Sequence, residues 1–141
     1  MDEIYSIDYV LEPGRSEWMT IGQGIGAYNA QQAGDDSSTP LCFVLRDAEG
    51  TIVGGVLGET HYDWLYVNLM WIRADLRDRG FGAQLLTMAE DEARKRGATH
   101  AYLDTFSFQA PGFYKKQGYR EFGKLEHFPG KHTRYFLCKD L

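Results

Sequence analysis

Residues 64–97, WLYVNLMWIRADLRDRGFGAQLLTMAEDEARKRG, decide the fold. Trp64 to Arg73 is an apolar run of strand length, which predicts a central strand covered on both faces. Leu76 to Gly82 is a short charged loop holding two glycines. Beyond it, Leu85, Leu86, Met88, Ala89 and Ala93 recur at helical spacing, with charged residues opposite, so an amphipathic helix is predicted to about Arg96. Gly97 ends it with a residue suited to a helix C-terminus. A strand that passes through a glycine loop into a long helix is the unit of an α/β fold.

The loop also carries chemistry. The first turn of a helix has unpaired N–H groups, and its dipole favours negative charge there. Gly80 and Gly82 let an anion approach the backbone closely. Arg77 and Arg79 add positive charge with donors suited to phosphate. A nucleotide P-loop needs Gly-Lys-Ser or Gly-Lys-Thr at this point, and Gly82-Ala83-Gln84 differs. The dinucleotide fingerprint needs a third glycine where Leu85 stands. A pyrophosphate held by backbone amides, as in coenzyme A, suits the loop better.

Outward from this unit, Leu41 to Arg46 and Thr51 to Thr60 read as a hairpin around Asp47-Ala48-Glu49-Gly50. The polar stretch Ala33 to Pro40 reads as a loop. Before it, Trp18, Ile21, Ile25 and Tyr28 recur at helical spacing, with Ser16 as cap and a start near Glu17. Gly22, Gly24 and Gly26 weaken that helix, which is expected to be irregular or mobile. Ile4 to Leu11 partly alternates and predicts a strand, broken by Pro13-Gly14. After the long helix, Ala101 to Phe106 reads as a strand and Gln109 to Gln117 as a short helix stopped by Gly118. Tyr119 to His127 and Arg134 to Lys139 make a last strand pair around Pro129-Gly130. The pattern predicts one α/β domain with a mixed sheet over residues 1–141, without repeat or linker.

Composition bounds the function. The chain has 141 residues, 43% apolar and 25% charged, with a net charge of −5. An acidic balance argues against a general nucleic-acid binder and leaves room for a cationic substrate. Aromatic residues reach 14%, a surplus that core packing largely explains. Cys42 and Cys138 are too few for a disulfide framework and match no zinc motif, so both read as buried, reduced thiols. The histidines show no metal spacing, and no metal is expected. No apolar run approaches the roughly 20 residues that span a membrane. Met1-Asp2-Glu3-Ile4 lacks a signal peptide's basic start, which fits a cytoplasmic enzyme.

The segment Arg77-Asp78-Arg79-Gly80-Phe81-Gly82 resembles the acyl-CoA loop of the GNAT superfamily of N-acetyltransferases: Arg or Gln, two residues, Gly, one residue, Gly or Ala. About 30 residues later, Ala110-Pro111-Gly112-Phe113-Tyr114-Lys115-Lys116-Gln117-Gly118-Tyr119 resembles a second GNAT segment. There a short helix carries an aromatic or Leu, then Tyr, then Lys two residues on, then Gly and an aromatic. The element order is similar along nearly the whole chain. The resemblance implies a GNAT fold, with a mixed, mostly antiparallel sheet splayed at the cofactor site and flanked by helices.

It also implies roles. The pyrophosphate of acetyl-CoA would rest on the amides of Arg79, Gly80, Phe81, Gly82 and Ala83 beside Arg77. The pantetheine arm would bond the backbone of Met70, Trp71 and Ile72, with Phe113 and Lys116 from the second motif also at the cofactor. Ser107 stands where many members carry Asn, and reaches less far. Pro111-Gly112 is unusual for the family, though proline early in a helix is tolerated. Tyr114 matches the tyrosine that faces the acyl sulfur. A phenol at hydrogen-bond distance can protonate a departing thiolate, and a backbone N–H on the splayed strand can steady the oxyanion.

The general base is less defined. Glu59, His61 and Asp63 end the second hairpin strand, and Glu59 is the first choice. Tyr66 and Asn68 share a face if the central strand alternates regularly. His127, His132 and Arg134 border the last hairpin, where the family's acceptor site often lies. The leading expectation is transfer of an acetyl group from acetyl-CoA to a primary amine of a small molecule or peptide. The alternative is a GNAT fold that holds acyl-CoA as a sensor or scaffold without turnover. No nucleic-acid or membrane partner is expected, and strand edges would permit a homodimer.

Overall fold

A computed structural model describes residues 4–141, so the opening Met1-Asp2-Glu3 lies outside the described residues. The chain divides into two compact units, Met1–Asp36 and Ser37–Leu141.

In the first unit, residues 4–10 have no regular secondary structure. The strand expected over Ile4 to Leu11 does not form. An alternating pattern needs a neighbouring strand to take its backbone hydrogen bonds, and this unit holds no other strand among its described residues. Helix α1 spans Arg15–Ala33 and is continuous through Gly22, Gly24 and Gly26. Each glycine costs about 1 kcal/mol relative to alanine, so the expected irregularity is not seen even though the cost is present. The N-cap is Gly14 rather than Ser16, and Gly34 closes the helix at φ 79°.

The second unit is α/β. Its strands are β1 (Thr39–Arg46), β2 (Ile52–His61), β3 (Trp64–Ile72), β4 (His100–Phe106), β5 (Arg120–Leu125) and β6 (Arg134–Asp140). Two helices join them, α2 (Phe81–Lys95) and α3 (Pro111–Lys116), and a single 3-10 turn covers Ala74–Leu76. The six strands form one sheet in the order β1-β2-β3-β4-β6-β5. Every pairing is antiparallel except β3 with β4. The sheet is therefore mixed and mostly antiparallel, as expected.

The core lies between α2 and one sheet face. Leu85, Leu86, Ala89 and Ala93 of α2 pack with Leu41, Val56, Leu65, Val67, Ala101, Leu103 and Leu137. Burying each leucine or valine contributes about 1.5–3 kcal/mol. Two residues of α2 depart from the simple stripe. Met88 is exposed, whereas Glu90 is only 4% exposed. The Glu90 carboxylate accepts from Tyr119 Oη at 2.8 Å and from Lys139 Nζ at 3.0 and 3.1 Å, which makes its burial tolerable. Lys139 Nζ also donates to the Gln117 carbonyl at 2.8 Å, fastening the end of α3 to β6.

Strand β3 is central, as its apolar run suggests, but it is not covered on both faces throughout. Leu65 and Val67 are buried, while Leu69 and Trp71 are exposed. The second half of the run lines a cleft, while its Met70 and Ile72 still pack against the core. Cys138 is a buried thiol and Cys42 an exposed one, both free. On β1 the buried partner is Leu41, and strand alternation turns the next side chain, Cys42, to the other face.

Candidate active site

Parallel pairing of β3 with β4 runs only from Trp64↔His100 to Val67↔Leu103. Beyond that point β4 keeps its antiparallel partner β6, and β3 keeps β2. The two central strands diverge, and a gap opens between them. A register shift at Leu57/Gly58 helps to set it, because Gly58 faces Val67 and Leu57 faces Leu69, leaving Asn68 as an extra residue on β3.

The gap continues to the N-terminus of α2. Asp78 and Gly80 take positive φ, 61° and 87°, and turn the chain sharply into the helix. No side chain caps α2, and its first ladder bond is from Gln84 N to Gly80 O. The amides ahead of Gln84 are free to meet a ligand. The Arg77 Nε donates to the Ile72 carbonyl at 3.0 Å, tying the loop to the end of β3. A Cβ at Gly82 would lie 3.4 Å from the Phe113 ring, so the glycine keeps the passage between α2 and α3 narrow but open.

Together these elements enclose a cleft of about 800 Å³. It is lined by most of the residues expected from the sequence: Met70, Trp71, Ile72, Arg77, Gly80, Phe81, Gly82, Ala83, Phe113 and Tyr114. Tyr114, on α3, is buried, and burial pushes its phenol up to about 12, with the Asp104 carboxylate adding to the rise. Such a group keeps its proton at neutral pH and is a donor.

Four expected residues lie elsewhere. Arg79 sits over the Phe81 ring at 5.5 Å, off the lining. Lys116 is exposed on the last turn of α3. The Ser107 hydroxyl accepts from Thr133 N at 3.0 Å and faces His132 Nδ1 at 3.4 Å, so it serves the turn before β6. Glu59 is cross-strand from Tyr66 and accepts from Ser38 Oγ at 2.9 Å, outside the cleft lining. Its charge still contributes to raising Tyr66 and Tyr102, behind burial as the main cause. His61 meets the Tyr102 hydroxyl at 3.0 Å on that same sheet face.

Sequence reasoning missed Asp104. It lines the cleft with Tyr114 and accepts from Arg134 Nε at 2.8 Å and Nη2 at 2.6 Å. The Arg134 guanidinium lies 5.3 to 5.5 Å from the ring centres of Phe106, Phe128 and Phe136. Strand alternation marks Asp104 as facing away from Leu103, but nothing local in the sequence reveals a partner 30 residues away. Among the described residues no cluster of His, Cys, Asp and Glu is arranged to hold a metal ion. No helix there is long and apolar enough to cross a membrane.

The sheet is thus mixed and splayed, and its gap leads from an uncapped helix N-terminus to a buried tyrosine. The model of the acetyltransferase (GNAT) family matches residues 2–119. The blasticidin-S acetyltransferase of Streptomyces morookaense is 38% identical over 93 residues, 65% of this chain and 68% of that protein. An acetyltransferase from Bacillus cereus superposes with a TM-score of 0.86 at 35% identity, covering 95% of this chain and 98% of that one. A Bacillus anthracis protein crystallised with acetyl coenzyme A shares the fold at 16% identity and a TM-score of 0.64, over 72% of this chain and 62% of that one. The chain belongs to the GNAT acetyltransferase family.

Proposed function

We propose that this protein transfers an acetyl group from acetyl-CoA to a primary amine of a small molecule or peptide, in the cytoplasm, with Tyr114 as general acid. The observation that carries the reading is the single cleft running from the α2 N-terminus to Tyr114 between the diverging strands. The family match spans both compact units, which supports one functional domain.

In this reading the pyrophosphate rests on the amides of Arg79 to Ala83 beside Arg77. The pantetheine arm follows the backbone of Met70, Trp71 and Ile72 past Phe113. Lys116 adds charge from the end of α3, and Ser107 contributes what its hydroxyl has left after Thr133. The amine nitrogen attacks the thioester carbonyl carbon, forming the C–N bond as the carbonyl electrons move to oxygen. Their return breaks the C–S bond, and the sulfur takes the Tyr114 proton. The nitrogen's surplus proton passes to Glu59 through solvent, and solvent restores Tyr114. The products are an amide and free coenzyme A.

Calorimetric titration with acetyl-CoA tests the cofactor, using an Arg77→Ala, Gly82→Asp double variant as control. Binding by the parent and its loss in the variant are expected. Absence of heat with the parent at high concentration would remove the reading. Release of thiol on adding amines then separates an enzyme from a silent acyl-CoA sensor.

A further inference from the structure

Where the gap begins, three oxygens converge. The Tyr66 hydroxyl lies 3.4 Å from Asn68 Oδ1 and 3.5 Å from Asp104 Oδ1. A phenol has one proton to give, so it cannot satisfy both acceptors, and both contacts are long. The remaining oxygen, Asp104 Oδ2, accepts from Nε and Nη2 of Arg134. That guanidinium is itself held over three phenylalanine rings, which attract its positive charge. One side of the carboxylate is fixed, and the other presents an under-used anionic oxygen to the cleft beside an amide oxygen and a phenol. Asn68 is available for this because the β3 bulge leaves it out of the β2–β3 pairing.

We propose that Asp104 Oδ1, Asn68 Oδ1 and Tyr66 Oη form a cation subsite that selects acceptors carrying an ammonium group in addition to the amine that is acetylated. The inference rests on the acetyl-transfer reading. An ammonium has three N–H donors and a full charge, which matches three convergent acceptors, one of them anionic. The reacting nitrogen must shed its proton to attack, so a site that holds an ammonium suits a second cationic group. Asp104, clamped by Arg134, acts as an anchor. A dibasic amine would then lie with one nitrogen anchored and the other toward the thioester and Tyr114. The net charge of −5 favours the approach of such a substrate.

The test compares diaminobutane with butylamine as acceptors, by thiol release with acetyl-CoA, in the parent, Asp104→Asn and Asn68→Ala. The ratio of kcat/KM for the diamine over the monoamine should fall about tenfold or more in Asp104→Asn, as for loss of one charge-assisted hydrogen bond. It should fall less, with the same sign, in Asn68→Ala, whose exposed side chain has no part in the core. An unchanged ratio in both variants overturns the subsite. Calorimetry of diaminobutane with the protein–coenzyme A complex reads the subsite without turnover. Binding weakened by Asp104→Asn supports the subsite even if no amine is acetylated, a result that would instead sink the transfer reading. Absence of diamine binding to the parent overturns the subsite, whereas continued acetylation of butylamine would leave the transfer reading standing.

Discussion

Gly58 lies so close to the carbonyl oxygen of Tyr66 that a Cβ at this position would collide with it. The two residues flank the register shift that produces the β3 bulge, so the bulge depends on a missing side chain. Gly58→Ala should destabilise the fold by about 1–3 kcal/mol, the usual cost of overpacking a closely packed site. Urea denaturation reads the loss. Acetyl-CoA affinity should fall with it, because the backbone at Met70 to Ile72 shifts with the bulge.

Lys139→Met would leave the Glu90 carboxylate buried with only the Tyr119 hydroxyl as a partner. Stranding a buried charge costs about 3–5 kcal/mol. Chemical denaturation should show the Lys139→Met, Glu90→Met double variant to be more stable than Lys139→Met alone. The reverse order would mean that Glu90 is solvated rather than paired.

Tyr114→Phe should lower kcat by about a hundredfold or more, the range for loss of a general acid, with little change in acetyl-CoA affinity. Steady-state kinetics and calorimetry on one preparation separate the two. An equal loss of affinity would make Tyr114 a packing residue instead.

Alkaline pH supplies a further check. Tyr66, Tyr102, Tyr114 and Tyr119 are all raised above the ordinary tyrosine value of 10.0, chiefly by burial. A folded-state value above the unfolded one stabilises the fold below the unfolded value and is lost as pH rises through the folded one. Stability should therefore hold to about pH 10 and decline toward pH 12. Tyrosinate absorbance should show a fraction of phenols that ionise only as the protein unfolds. Full titration of all phenols near pH 10 with the fold intact would contradict this.

The loop at Arg77 to Gly82 and the helix after it were legible because their signals are local: two glycines, a charged turn and a 3.6-residue stripe. The same holds for the two hairpins. What escaped was set by distant partners. Glu90 reads as an outward-facing acid on α2 until Lys139, 49 residues on, reaches it. Asp104 reads as a polar strand residue until Arg134 pairs with it. Ile4 to Leu11 has a strand's composition without a strand's neighbour. The run around Cys42 is apolar throughout, yet strand alternation exposes its every second side chain, Cys42 among them.

The parallel seam between β3 and β4 joins the two halves of the sheet through four residue pairs only. One half, β1 to β3, is a meander whose turns are short and whose contacts are close in sequence. The other half gathers β4 with the β5–β6 hairpin. A parallel pair needs a crossover, and here α2 carries the chain back across the sheet. The border of the candidate site is thus also the thinnest suture of the sheet, where four residue pairs hold its two halves together.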